Sequence, residues 1–331
     1  MTISRERLNQ LIARYCPLFY LSKGDIYRPC SFEYFIGNST LKWSSKCGKI
    51  HKVLLGQGTL TEESLVEACS SKQDLDRDYC DGEFWLDLEA SARRGEAEFD
   101  SVPVYATAKA ILTADESNYE ALEITYITLF AHNGPYSIFG ILNVGAHDGD
   151  IEHITVRVDI ETEGLVGVWY NAHRNRDGTW VAGPDAERDE CGRLVSYIAK
   201  HGHGHYPREG RYFRHFFLGN DVCSRGASWK PQQVVVLPGN DGYSGPDEEL
   251  RLPICRSRGS MLQDICFRDI DSTVLPIVED RLPCKWSIFK GRFGTAPAPC
   301  QQSWYSQAEP PVSRHPFLRL FLHFWPEKYQ V

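Results

Sequence analysis

The sequence predicts a mainly β protein, an antiparallel β-sandwich with a few peripheral helices. Three observations predict it. Between residues 102 and 237, short apolar segments alternate with the period of two that marks strands. Turn signals separate or close these segments: Asn133-Gly134-Pro135, Glu163-Gly164, Asp177-Gly178 and Pro238-Gly239-Asn240-Asp241-Gly242. Helical periodicity is scarce elsewhere in the chain. Many short strands divided by such turns are the pattern of a sandwich.

Taken in chain order, residues 4–15 read as a short amphipathic helix, with Leu8, Leu11, Ile12 and Tyr15 at helical spacing. Pro17 ends it, because the residue before a proline is pushed out of the helical region. Leu18 to Leu21 is a short apolar strand. Residues 37–75 are polar, rich in Gly, Ser and Lys, and poorly periodic. They read as a peripheral excursion with a small helix around Thr61–Leu65. Strands follow at Val102–Leu112, at Tyr119–Phe130 (Leu122, Ile124, Tyr126 and Phe130 on one face), after Asp150, at Leu165–Ala172, at Leu194–Ala199 and at Gln233–Leu237. The tail, 290–331, is Pro-rich and reads as a surface wrap. There is no internal repeat, and the 331 residues fit a single domain, 1–331.

Composition narrows the functional classes. A hydrophobic fraction of 42% supports a substantial core. The net charge of −8, with no Lys/Arg-rich run, argues against a nucleic-acid partner. No apolar run approaches the roughly 18 residues of a transmembrane segment. The 11 cysteines are odd in number, contain no Cys-Xaa-Xaa-Cys pair and follow no signal-peptide pattern. The expectation is reduced, mostly buried thiols and a cytoplasmic location, with any membrane contact peripheral.

The chemistry is concentrated in Ala146-His147-Asp148-Gly149-Asp150-Ile151-Glu152-His153. The strand that follows puts Asp150, Glu152, Ile154, Val156 and Val158 on one face. Two carboxylates thus stand at the mouth of an apolar face, with His147 just upstream in a Gly-containing turn. Buried carboxylates are costly unless paired, and a divalent cation held by His147, Asp150 and Glu152 is one economical partner. Oxygen ligands favour Mg, Ca or Mn, with Zn as runner-up. The alternative is a strand end whose acids are simply solvated. A second feature is Lys200-His201-Gly202-His203-Gly204-His205-Tyr206-Pro207. It reads either as a zinc-type His-Xaa-His array or as a Gly-rich loop with structural histidines. His173, closing Tyr170-Asn171-Ala172-His173, stands at a strand end that register decides whether to bring near the acids. No Gly-Xaa-Gly-Xaa-Xaa-Gly, P-loop, nucleophile elbow or His-Glu-Xaa-Xaa-His motif is present.

Together these segments resemble the vacuolar protein sorting-associated protein 62 family. The resemblance runs from Arg14-Tyr15-Cys16-Pro17-Leu18-Phe19-Tyr20-Leu21 and Asp25-Ile26-Tyr27-Arg28-Pro29-Cys30-Ser31, through Pro103-Val104-Tyr105-Ala106, to Gly202-His203-Gly204-His205-Tyr206-Pro207, and it extends to Asp221–Trp229 and Gly291-Arg292-Phe293-Gly294. It is strongest at His147-Asp148-Gly149-Asp150-Ile151-Glu152-His153, where Ile151 replaces the family's usual Trp. His173 and His203 fall on family histidines; His201 and His205 do not. The His-Xaa-Xaa-Asp-Xaa-Glu spacing is also similar to the core motif of the necrosis- and ethylene-inducing peptide-like proteins. That similarity implies a β-sandwich and a cation near His147, Asp150 and Glu152.

Two functions follow as expectations. The first is a divalent-metal-dependent enzyme, a hydrolase, lyase or cyclase, acting on a small oxygenated substrate. In it His173 and His203 supply general acid/base groups. The second is a binding module in membrane trafficking, whose cation bridges the protein to a lipid or glycan head group. A purely structural cation, stapling a loop to a sheet, is a third.

Overall fold

The computed structural model describes residues 2–45, 51–70, 82–113, 117–138, 142–172, 174–213, 220–237, 249–252, 254–256, 270–280 and 292–294. Helix α1 (Arg5–Tyr15) starts where the Ser4 side chain accepts from the Arg7 amide, and it buries Leu8, Leu11, Ile12 and Tyr15. Then come β1 (Leu18–Leu21), α2 (Phe32–Gly37, capped by Ser31), β2 (Ser39–Ser45), β3 (His51–Leu55), α3 (Glu62–Ser70) and β4 (Gly82–Leu88). The strands β5 (Val104–Leu112), β6 (Tyr119–Asn133), β7 (His147–Asp159), β8 (Leu165–Ala172) and β9 (Arg174–Ala182) form the middle of the chain. The remaining strands used below are β10 (Val195–Ile198), β11 (His205–Tyr206), β12 (Ser228–Trp229), β13 (Gln233–Val236), β14 (Ile277–Asp280) and β15 (Arg292–Phe293).

A central sheet runs in the order β9-β8-β7-β6-β5-β13-β14, and the short strand Ile254–Arg256 also pairs with β5. Its β5-to-β9 part is antiparallel, as expected from the turn signals. The far edge is not: β13 pairs parallel with both β5 and β14. A second sheet, β11-β10-β1-β12, and a third, β15-β4-β2-β3, complete the layers.

Alternation along β5, β6 and β13 explains why both faces of the central sheet are covered. Val104, Ala106, Leu122, Ile124, Tyr126, Phe130, Ile154, Val156, Val234 and Val236 point one way. They pack with Leu8, Leu11 and Ile12 of α1 and with Phe19, Leu21 and Trp229 of the second sheet. Tyr105, Ile127, Leu129, Ala131 and Val235 point the other way, onto α2 and onto Leu41, Trp43, Phe84 and Leu86 of the third sheet. The sandwich is therefore three layers deep, with the central sheet as filling.

The stretch 37–75 supplies β2, β3 and α3 and buries Leu41, Trp43, Leu60 and Leu65 in that second core. Of the tail 290–331, Arg292–Gly294 is described, with β15 pairing parallel to β4; the rest lies outside the described residues. Among the described residues no helix is long and apolar enough to cross a membrane. Cys16, Cys30, Cys191 and Cys223 are free thiols.

Candidate functional site

Strand β7 brings the acids to one place. Its antiparallel register with β6 sets His147 opposite Asn133, Asp148 opposite His132, Asp150 opposite Phe130 and Glu152 opposite Thr128. Asp148, Asp150 and Glu152 are buried while Gly149, Ile151 and His153 between them are less so. The pleat expected from the sequence is therefore present. At Gly149 the backbone has φ +73° and lies against Phe293 of β15, where a Cβ would sit 2.6 Å from the Phe293 carbonyl oxygen. Only glycine fits that approach without moving the strand behind the site.

The loop between β10 and β11 delivers His203 to Asp150. It is a tight turn in which His201 and His203 both take left-handed backbone, φ +70° and +47°. The His203 amide donates to Ala199 O, and the Ala199 amide to Gly204 O. The His203 ring lies flat on Phe130, with centroids 3.8 Å apart and planes 1° from parallel. Its Nδ1 meets Asp150 Oδ2 at 2.8 Å. Its Nε2 is buried without a hydrogen-bond partner, 3.7 Å from Asp25 Oδ2. Asp25 itself accepts from the His201 and Tyr27 amides. His147 completes the row: half-exposed, it places Nε2 3.4 Å from Asp150 Oδ1, and its Nδ1 lies 3.0 Å from Gly145 O.

Asp148 anchors a parallel arrangement. Its Oδ1 lies 2.5 Å from Nδ1 of His132, and the Arg93 guanidinium grips both oxygens at 2.8 and 3.0 Å. Tyr27 tilts against the His132 ring at 4.9 Å. The electrostatics follow from these pairs. Burial pushes the Asp150 carboxyl up, but His147 and His203 more than offset it and hold it well below the usual range. Asp148 is likewise lowered, with burial opposed by His132 and Arg93. For His147 desolvation lowers the imidazole, yet the Asp150 hydrogen bond and charge leave it raised.

Of the residues singled out from sequence, His147, Asp150 and His203 converge. Glu152 is buried one pleat further along β7, and the Thr128 hydroxyl reaches its backbone carbonyl, 3.4 Å away. His173 lies outside the described residues. His205 is buried with Nδ1 2.9 Å from the Ser196 hydroxyl and Nε2 3.1 Å from that of Thr128. Burial drives its pKa down to about 3, so it is a neutral, pinned side chain. Sequence reasoning passed over Asp25, Phe130, His132, Asp148 and Arg93 as site residues. Asp148 stood inside the leading motif and Asp25 inside the opening one; nothing in the local pattern marks the other three.

The donor types suit a cation in kind: carboxylate oxygens, imidazoles and a buried nitrogen without a partner. Among the described residues, however, no three His, Cys, Asp or Glu side chains form a group that could hold a metal ion. Both Asp150 oxygens already face imidazoles. The histidines thus supply part of the pairing that a cation was invoked to supply.

No curated protein and no solved structure matches the chain. The family model described as vacuolar protein sorting-associated protein 62 matches residues 2–226, a span that contains β7, the His203 loop, Asp25 and every other residue of the site. The chain therefore belongs to the vacuolar protein sorting-associated protein 62 family.

Proposed function

We propose that the chain is a divalent-metal-dependent enzyme that uses histidine acid/base chemistry on a small oxygenated substrate, as a hydrolase, lyase or cyclase. One observation carries this reading: His203 is fully buried, flat on Phe130, with Nδ1 tied to Asp150 and Nε2 left without a partner. A carboxylate on Nδ1 fixes the tautomer and leaves Nε2 as the group that can take a proton. An unsatisfied buried polar atom costs about 1–3 kcal/mol, which a ligand at Nε2 would recover.

Charge supports the cation. The carboxylates of Asp25, Asp148, Asp150 and Glu152 are nearly inaccessible, and Arg93 grips one of them, Asp148. Positive charge beside the others, as protons on imidazoles or as a divalent ion, would offset the cost of their burial. His147, Asp150 and Glu152 would hold the ion, Mg, Ca or Mn ahead of Zn, and it would polarise a substrate oxygen. His203 and His173 are the acid/base candidates. The half-exposed side chains of His147 and Arg93 mark the way in.

The free thiols fit work in the cytoplasm, with peripheral membrane contact. The family description favours a second reading, a head-group binding module for lipid or glycan in membrane trafficking. One experiment separates them. Purified protein is incubated with cell extract, with and without chelator, and the metabolites are profiled by mass spectrometry. The enzyme reading expects a chelator-sensitive change that His203→Gln abolishes. It also expects Asp150→Asn to lower metal content and melting temperature together. Unchanged metabolites, with a lipid or glycan retained on immobilised protein, would leave the binding module. No metal by elemental analysis, and no thermal shift with Mg, Ca, Mn or Zn, would remove the cation.

A further inference from the structure

The half-exposed His147 and Arg93 open onto the carboxylates of Asp150 and Asp148, but the way to Nε2 of His203 is closed by the segment between β1 and α2. That segment is firm at its ends and loose between them. At one end the buried Ser22 hydroxyl lies 2.9 Å from Ile198 O and 2.8 Å from Val222 O, and it accepts from the Ser224 amide. At the other, the Arg28 amide donates to Arg94 O, the Cys30 amide donates to Leu129 O, and Pro29 forms a bridge with Phe130. Between them the Lys23 amide donates to the Ser224 hydroxyl. Among the described residues, no backbone group of Gly24–Tyr27 bonds beyond residues 22–28. Lys23, Gly24 and Ile26 are exposed. Two inward side chains hold this strap down, and both rest on histidines. Asp25 accepts from the His201 amide at 2.8 Å and sets Oδ2 3.7 Å from Nε2 of His203. The Tyr27 ring meets the rings of His132 and His201, with centroids 4.9 and 6.0 Å apart. Gly134 leaves the notch that seats it, because a Cβ there would stand 2.4 Å from a Tyr27 ring carbon. Under the strap, Nε2 of His203 and Nδ1 of His201 are buried without hydrogen-bond partners. Such atoms regain their hydrogen bonds when water reaches them, so both oppose closure. Few bonds in the strap and two unsatisfied atoms beneath it are the conditions under which a segment opens locally.

We propose that Lys23–Tyr27 is a gate over the histidines, latched by Asp25, and that ligands reach Nε2 of His203 after the strap swings out between Ser22 and Pro29. The value of reaching Nε2 rests on the reading of His203 given above; the gate itself is a property of the chain alone. Asp25 and Tyr27 are positioning residues, which act on a ligand through the strap. When Asp25 leaves the His201 amide, the Tyr27 amide loses its bond to the same carboxylate, so the two holds release together. Opening then uncovers His132, His201 and His203 at once, and closing shuts water away from all three.

Acylation of imidazoles by diethyl pyrocarbonate reads the gate with neither substrate nor metal. The tryptic peptide from His201 to Arg208 carries His201, His203 and His205, and its fragment ions separate the three. His205 is the control: like His203 it is 0% exposed, but its nitrogens meet the Ser196 and Thr128 hydroxyls and not the strap. In the wild-type chain His203 should be acylated about tenfold faster than His205, because reaction follows the open population. Asp25→Ala should speed His203 by about tenfold more and leave His205 unchanged. Gly134→Ala keeps Asp25 and unseats Tyr27. A strap that moves as a unit should again speed His203, whereas a mere hole left by Asp25→Ala predicts no change. His203 as slow as His205 in the wild type overturns the gate, as does Gly134→Ala at the wild-type rate; Asp25→Ala at that rate overturns the latch. A variant that also acylates His205 has lost the fold, and the wild-type comparison of His203 with His205 then decides. An open gate without any metabolite change in cell extract removes the enzyme reading and keeps the gate; a metabolite change with His203 as protected as His205 does the reverse.

Discussion

Both ring nitrogens of His205 meet hydroxyl groups, and the ring sees no water. Its pKa of about 3 in the fold lies far below the roughly 6.5 of an unfolded histidine. The unfolded chain therefore binds a proton that the native chain refuses. The stability associated with His205 is complete above about pH 6.5 and is lost as pH falls toward about 3, at about 1.4 kcal/mol per pH unit. His205→Gln should flatten the slope of unfolding free energy against pH between 6 and 4 by about that amount, measured by urea titration. An unchanged slope would contradict the neutral ring. Gly149 gives a second expectation: Gly149→Ala adds a Cβ at positive φ and 2.6 Å from a backbone oxygen, and should cost roughly 2 kcal/mol or more in thermal unfolding. The site was legible in sequence where spacing alone decides geometry. Asp150 and Glu152 share a face because strands have period two. His203 was legible as a candidate, but its partner Asp150 is 53 residues away and is reached only through a left-handed turn that no local pattern announces. His132 lies two residues past the strand expected at Tyr119–Phe130, which continues to Asn133, and register alone gives it Asp148.

The central strands are pinned by charge as well as by apolar alternation. Lys109, Glu123 and Arg157 stand side by side on β5, β6 and β7, all nearly inaccessible. Glu123 lies 2.7 Å from the Lys109 ammonium and 3.0 Å from Nε of Arg157. Burial raises the Glu123 carboxyl, but the two cations lower it further, so it stays ionised. A one-residue slip in either pairing would turn the slipped strand's charge to the opposite face and break the triad. Glu123→Gln removes the carboxylate charge that both buried cations face and should cost about 3–5 kcal/mol, read from urea midpoints; a cost below about 1 kcal/mol would show that the triad is dispensable. At this scale the antiparallel run from β5 to β8 was readable, because hairpin turns join neighbours in sequence. The parallel contacts of β13 with β5 and of β10 with β1 were not, because they join segments far apart in the chain.

Over the whole molecule, the family-matching span and the folded unit do not coincide. The match ends at residue 226, yet β12 and β13 follow it. Trp229 of β12 is fully buried against Phe19, and β13 hydrogen-bonds to β5. Val234 and Val236 join the same core as α1, while Val235 joins the other. A fragment of residues 1–226 should therefore lose cooperative thermal unfolding, whereas the full chain should melt in a single sharp transition; equal sharpness in the two would contradict the inward placement of β13. The single strand β13 thus carries an inheritance constraint. A gene fusion that copied only residues 2–226 would receive Asp150 and His203 but not Phe293, which backs Gly149, and β5 would be left with an open edge where β13 belongs. The portable unit is longer than the recognisable one. Recombination that keeps the site on a stable sheet is expected to carry β12 and β13 along, although the family model stops before them.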